Sequence, residues 1–497
     1  MNRTKVIFGS GALLLLGACT VTPKPLAQVE LSTTAERLQR EVAANQEPVS
    51  GPVDLYEAMA RALKYNLDYK VAMMEEALKA RELDLAGYDM LPQLVANAGY
   101  AGRNNFSGAS SLSLISGRQS LEPSTSSEKD IFAADLSLSW DVLDFGLSKI
   151  RAEQAADQTL IAQERRRKVA GRVIEEVRTA YWRAVSAQRL LDKLTQLEGS
   201  VQETLDNSER LAERRLSAPL TALTYQRELI DIQANIRQLQ RELVIAKSQL
   251  AALMNLEPGT SFELVMPDRG ADMPQVSYTA EDMMTSALRN RTELREVAYL
   301  QRINTKELDA AFLSSLPSLR GFVGVNYDSN DFLYNSNWLN YGARASWNLL
   351  NLFRLPAHKR AVNAEGDLIR QRELALAMAV MTQVHVARAQ LGHRMLELDT
   401  ASRSHNVQGK IMQQIGSGYR AGAMSKQTML REEMNTLVSE VKYDIAYAEA
   451  QNAYANLYAA IGLDSFGPDV SGREDVATLA NSLRGLWDRR ASAPTIE

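Results

Sequence analysis

Asp84 to Leu94 reads DLAGYDMLPQL, and Asp309 to Leu319 reads DAAFLSSLPSL. The two stretches match without a gap at an offset of 225 residues (309 − 84), which also sets Ala62-Leu63 against Ala287-Leu288 and Glu82-Leu83 against Glu307-Leu308. Further along, Trp140-Asp-Val-Leu-Asp matches Trp347-Asn-Leu-Leu-Asn at an offset of 207 (347 − 140). That offset persists through Val177 and Val384, Ala180 and Ala387, Leu250 and Leu457, and Leu256 and Leu463. The change of 18 residues (225 − 207) falls in a longer loop of the first copy, between Ala101 and Ile131, with the sequence GASSLSLISGRQSLEPSTSSEKD. So serine-rich a loop is a solvated excursion, not core. A unit of about 200 residues occurring twice is too long for a short-period solenoid. The chain is a duplicated half.

Each copy carries the same order of elements. It opens on a helix with a polar pair at the capping spacing, Asp54 with Glu57 and Thr279 with Asp282, which satisfies free N–H groups at a helix start. Pro92 and Pro317 end that helix at equivalent positions. Two alternating segments follow. Leu136, Leu138, Trp140 and Val142 alternate with Asp135, Ser137, Ser139 and Asp141; Tyr341, Ala343, Ala345, Trp347 and Leu349 alternate with Gly342, Arg344, Ser346 and Asn348. Each has an upstream partner, near Leu94–Tyr100 and Gly321–Tyr327, so each copy supplies one hairpin and the chain four strands.

After each hairpin the period changes from 2 to 3.5. Positions 170, 173, 177, 180, 184, 187, 191, 194, 198, 201 and 205 hold Ala, Val, Val, Ala, Ala, Ala, Leu, Leu, Glu, Val and Leu. Beyond Pro219 the seam returns through Leu229, Ile232, Ile236, Leu239, Leu243, Ala246, Leu250 and Leu253. Sustained over this many heptads, the pattern predicts an antiparallel pair of long coiled-coil helices. The first is expected from Ser148 to Glu213, roughly 95 Å at 1.5 Å per residue. The second copy runs out through Ala377, Val380, Val384, Ala387 and Leu391, and back through Tyr443, Ala446, Ala450, Ala453, Leu457 and Ala460.

The N-terminus states an address. Arg3 and Lys5, an apolar run from Val6 to Leu16, and Leu16-Gly17-Ala18-Cys19 form a secretory signal. Its end resembles a bacterial lipobox, in which the cysteine becomes the acylated first residue. Cys19 is the only cysteine, so no disulfide framework competes for it. The 497 residues carry a formal net charge of −4, and removal of Arg3 and Lys5 makes it more acidic. Mixed, mildly acidic charge carries no nucleic-acid footprint. Past the signal no apolar run is long enough for a spanning helix, so a chain of this kind enters a membrane only as a closed barrel. The expected divisions are a signal peptide (1–18), a lipidated segment (19–52), a first repeat (53–265), a linker (266–278), a second repeat (279–465) and a C-terminal tail (466–497).

Four amphipathic strands cannot close a barrel, since the smallest filled ones need about eight. The polar face of Ser137, Ser139, Gly342 and Ser346 suits a wet lumen, and Trp140 and Trp347 suit an aromatic girdle at a membrane interface. Several chains must pool their strands. In the order, spacing and repetition of these parts, with Leu-Pro-x-Leu closing each first helix and Gly422-x-x-Ser425 before Leu430, the chain resembles the outer-membrane efflux channel (TolC-like) family from about Asp54 to Asp464. The resemblance implies a mixed fold of α-helices and a membrane β-barrel: a homotrimer with one twelve-strand barrel continued by a helical tunnel. It implies a lipid-anchored outer-membrane location, a passive duct for efflux or type I secretion, and partners in a periplasmic adaptor and an inner-membrane transporter.

The two helical turns, Leu216, Ser217, Ala218 and Pro219 in one copy and Gly422, Ala423 and Ser425 in the other, are then the expected adaptor-docking tips. Channels of this type often carry an acidic residue just after the second tip, but here Thr428 stands there, followed by Arg431, Glu432 and Glu433. A charged constriction must use these last three, which equally suit a solvated helix face. Catalysis, cofactors and metals find no support. His358, His385, His393 and His405 are scattered, and no nucleophilic triad order or phosphate loop is present. The alternative from another class is a lipid-anchored periplasmic adaptor, which would need a single helical hairpin flanked by small β domains.

Overall fold

A computed structural model of the chain describes residues 23–120, 122–214, 219–267, 276, 278–463 and 474–492. The elements run α1 (Gln28–Glu41), α2 (Leu55–Tyr65), α3 (Leu67–Tyr88), β1 (Gln93–Gly102), β2 (Asp130–Asp141), α4 (Val142–Glu213) and α5 (Pro219–Leu253). The second copy repeats that order as α6 (Ala280–Asn290), α7 (Thr292–Leu313), β3 (Ser318–Asp328), β4 (Asn337–Ser346), α8 (Leu350–Arg420) and α9 (Lys426–Ala460), and α10 (Val476–Ser492) closes the chain.

The head of each repeat is two helices where one was expected. Asp54 caps α2, accepting the Glu57 amide at 2.7 Å, and Thr279 with Asp282 forms a reciprocal capping box on α6. But Asn66 turns to ψ 128° and Arg291 to ψ 130°, which ends the helical path. The Asn66 side chain then accepts the Tyr69 amide at 3.1 Å and starts α3 afresh. The break lets α2 and α6 lie against the long helices while α3 and α7 run on to the strands.

Asp141 decides the other junction. It is the last residue of β2 and the N-cap of α4, accepting the amides of Leu143 at 2.9 Å and Asp144 at 3.4 Å. Strand passes into helix without a loop, so α4 starts before the expected Ser148 and its 72 residues span roughly 108 Å. The return helix α5 has 35 residues, and α8 and α9 repeat the pair with 71 and 35.

The four strands form one antiparallel sheet in the order β1-β2-β3-β4. Under it α3, α4, α7 and α8 stand side by side in that order, and toward the far end the row becomes α5, α4, α9, α8. Apolar packing falls into three clusters. One gathers α2, the middle of α4, the end of α5 and α10 around Val177, Tyr181, Leu250 and Leu479; a second joins α4, α5 and α9; a third joins α6, α8 and α9. The C-terminal segment is thus partly core. Leu479 and Leu483 of α10 are buried, and Arg484 pairs with Asp54 at the start of α2.

The α4 seam follows the heptads, with Leu194, Val201 and Leu205 buried at their expected positions, but at two steps beyond Ala187 the buried residue lies one position earlier. Leu190, Leu194 and Leu197 are buried, Leu191 is half-buried, and Glu198 sits at the flank, where it accepts from Arg237 at 2.8 Å and Gln240 at 3.2 Å. Leu190 is wholly buried, so Leu190→Ala should destabilise the helical part by about 2–5 kcal/mol. Denaturant unfolding followed by circular dichroism checks this; a change below about 1 kcal/mol would mean that the site collapses around the smaller side chain.

Candidate functional site

The sheet has two unlike faces, and strand register shows which residues share them. Leu94, Leu138, Val323 and Tyr341 stand in one row across the four strands, and Ala96, Leu136, Val325 and Leu339 in the next. Most of these large apolar side chains are exposed on the single chain, Tyr341 by 78%. The opposite face carries Asn97, Asp135 and Asn326 in one row and Val95, Ser137, Gly324 and Asn340 in another. Two glycines shape this polar face. A Cβ on Gly342 would stand 2.8 Å from the Phe322 ring, and one on Gly324 would stand 2.7 Å from the Asn340 side chain. Phe322 and Trp338 both fall on the polar face by register. Sequence reading passed over them because an aromatic was taken to mark the apolar side.

Trp140 lies on the apolar face near its helix end, edge-on to Phe145 with ring centroids 5.5 Å apart. Trp347 follows β4 at the same end and donates its indole N–H to the Ser315 carbonyl at 2.9 Å. Both are about half exposed.

The outer strands β1 and β4 have no partner on their free sides among the described residues, and the helices beside them are unfinished in the same way. Along α3, Leu67, Val71, Met74, Leu78, Leu85 and Tyr88 recur at steps of four and three, with Arg81 filling the missing step, and all six are exposed. At the other edge α8 exposes Leu368, Leu374, Met378, Val386 and Leu396.

At the far end the start of α9 lies beside the first turns of α5. Gln427, in the first turn of α9, donates to Glu228 of α5. A cleft of about 760 Å³ opens between them, lined by Asn207, Leu211, Leu220, Tyr225, Lys426 and Gln427 among others. The second turn is closed by Gly422 at φ +74°, with the Ala423 amide donating to the Gly418 carbonyl at 2.9 Å. This is a C-cap that only a residue without Cβ takes easily. Ser425 caps α9 by accepting the Thr428 amide at 3.1 Å. Leu216, Ser217 and Ala218 of the first turn, like Cys19 and the whole signal segment, lie outside the described residues; Pro219 begins α5.

The charges after the second tip have distinct surroundings. Thr428 also meets Ser425 through its hydroxyl at 3.0 Å, so it serves the cap. Arg431 is exposed and stands 3.6 Å from Glu432. Glu432 accepts from Gln408 of α8 at 3.0 Å; that bond, with Asn435 and Arg431, outweighs burial and holds its pKa below the ordinary value. Burial pushes the Glu433 carboxyl the other way, against a smaller effect of Lys426. His405, isolated in sequence, stacks on Tyr443 with centroids 5.7 Å apart and meets Ser439 at 3.3 Å; His358, His385 and His393 are exposed. The charged run Glu164 to Lys168 clips helices together: Arg165 to Glu296, Arg166 to Glu76 and Lys168 to Glu293. No pattern within α4 could have shown this, because the acids lie on α3 and α7.

Among the described residues no helix is long and apolar enough to cross a membrane. Two long hairpins under one shared sheet are also not the single hairpin with flanking β domains of an adaptor. Residues 58–256 match the family model described as outer membrane efflux protein. No curated protein matches the chain by sequence. The fold is similar to the Campylobacter jejuni CmeC outer membrane channel, at 15% identity and TM-score 0.62 over 89% of this chain and 95% of that one. It is also similar to the open state of the Neisseria gonorrhoeae MtrE outer membrane channel, at 17% identity and TM-score 0.61 over 82% and 88%. The outer membrane protein VceC of Vibrio cholerae aligns at 13% identity and TM-score 0.60 over 82% and 96%. The chain has the fold of these outer-membrane channels.

Proposed function

We propose that three copies of this chain form the lipid-anchored outer-membrane duct of a tripartite export assembly, joined at the periplasmic tips to an adaptor and through it to an inner-membrane transporter. The observation that carries the reading is that sheet and helix row are unfinished at the same two edges. β1 follows α3 and β4 leads into α8, so one protomer's α8 and β4 meet the next protomer's α3 and β1 together. In that order the meeting strands run antiparallel. Three copies are the number the family resemblance implies, and twelve strands exceed the roughly eight a barrel requires. The apolar face turns to lipid and the polar face of Asp135, Ser137 and Asn340 to water.

Orientation follows from the lipidated Cys19 and the loop lengths. The serine-rich loop between β1 and β2 is the longer of the two hairpin loops and faces the cell exterior, where barrel loops are long. The helical hairpins then extend into the periplasm. The tips offer a glycine turn and short side chains to approaching adaptor helices, and Arg431, Glu432 and Glu433 narrow the tunnel there.

If the barrel holds the membrane, Cys19→Ser should abolish fatty-acid labelling yet leave the protein in the outer-membrane fraction as a heat-resistant oligomer. One acyl anchor is weak beside a spanning structure. Full release of the variant from membranes would sink the barrel. At the tip, Ala423→Trp is a cleaner probe than Gly422→Trp, because position 422 strains any side chain at its positive φ. It should abolish export in cells at normal oligomer levels; normal export would exclude this turn from the docking surface. Arg431→Glu should set like charges beside Glu432 and Glu433 three times around the axis. Repulsion at close range widens the closed end, so single-channel conductance in planar bilayers should rise, and an unchanged value would place the constriction elsewhere.

A further inference from the structure

Helix α1 has no seat on its own chain. None of its residues is buried, although Leu31, Ala35, Leu38 and, just past its end, Val42 recur at steps of four, three and four. Such steps put them on one face, with Glu30, Glu36, Arg37 and Arg40 off it. A helix of 14 residues is marginal in water by itself. It needs a surface.

Both ends of α1 restrict where that surface is. Its lower end is fastened at the foot of α3. The Val42 carbonyl accepts from the Asn255 side chain at 2.7 Å, Gln46 donates to the Asn255 carbonyl, and the Glu47 amide donates to the Tyr65 hydroxyl at 3.0 Å. Asn66, which starts α3, donates to the Leu253 carbonyl at 3.4 Å in the same place. The upper end leads to Cys19, nine residues before Gln28, a reach of about 30 Å at full extension. The helix itself adds about 21 Å.

The climb to be covered is nearly as long. Asp68 at the foot of α3 pairs with Arg172 at 3.5 Å, and Arg172 lies 30 residues (172 − 142) along α4 from the sheet, about 45 Å. A tether of about 50 Å has little slack over that climb, so a path from the foot of α3 to the membrane keeps α1 at the α3 edge of the assembled channel, although α1 is not packed on α3 of its own chain. That is the edge where the next protomer meets this one.

We infer that α1 is an exchanged arm whose Leu31, Ala35, Leu38 and Val42 face packs on a second copy of this chain, the protomer bordering α3, so that each lipid anchor is strapped to its neighbour's wall. The inference rests on the closed-channel reading. It is tested in the full-length chain in cells, with the photo-crosslinking amino acid benzoylphenylalanine in place of Leu38. Irradiation should produce covalent dimers and trimers of this chain on denaturing gels. Adducts with another protein or with lipid alone, crosslinks confined to one chain, or no adduct in a sample that holds heat-resistant trimer would each overturn the arm. Absence of trimer before irradiation would overturn the channel reading instead. The Leu31→Ser, Leu38→Ser double variant should keep its lipid label while its trimer dissociates in detergent roughly tenfold faster or more, since one buried leucine contributes about that factor. An unchanged lifetime would also overturn the arm.

Discussion

A strand in lipid cannot leave its backbone N–H and C=O groups unpaired, because no water is present to take them and each orphan costs several kcal/mol. The sheet of this chain ends at β1 and β4 with such groups along both edges. Everything distinctive in the architecture is consistent with removing those two edges. The helices nearest them, α3 and α8, carry exposed apolar stripes, so in the proposed assembly the surface that would close the barrel continues downward as the surface that would close the tunnel. Strand and helix contacts are thereby coupled. A protomer that docked its strands without its helices would leave leucines in water, and one that docked its helices alone would leave strand edges in lipid.

The junction between sheet and helices makes that coupling rigid. Asp141 ends β2, caps α4 and meets Ser318 at the start of β3, with Arg320 at 3.7 Å. A side chain that serves two elements at once leaves no loop to absorb a change of angle. Ion pairs lower down continue the effect. Asp157 of α4, almost fully buried, is held by Arg302 and by Lys306 of α7, the latter at 3.2 Å, and Asp444 of α9 meets Arg189 of α4 at 2.6 Å. Buried carboxylates without such partners would be strongly destabilising. These pairs therefore fix which helices are neighbours more than they add stability.

The far end is built differently. There the row is α5, α4, α9 and α8, and the cleft between the two hairpins is bridged by the contact of Gln427 with Glu228. Glu432 and Glu433 are adjacent in sequence yet shifted in opposite directions, one stabilised as an anion by Gln408 and its neighbours, the other disfavoured by burial.

Much of this was legible in the amino-acid order. Duplication, the hairpin in each half, the long antiparallel helices and the unlike faces of the strands all follow from spacing, because period 2 and period 3.5 are properties of a local backbone and need no partner to be read. The capping pairs Asp54–Glu57 and Thr279–Asp282 are local for the same reason. What only the tertiary structure decided involves residues distant in sequence. The break at Asn66 gives α2 and α3 separate packing surfaces; the seam shift at Leu190 answers to α5 and α9; the Arg165–Lys168 run meets acids on α3 and α7; and the C-terminal segment, unreadable as a tail, supplies Leu479 and Leu483 to the core. A chain's own periodicity says which face is apolar, but what that face covers is settled by the three-dimensional distances between elements, which no local spacing contains.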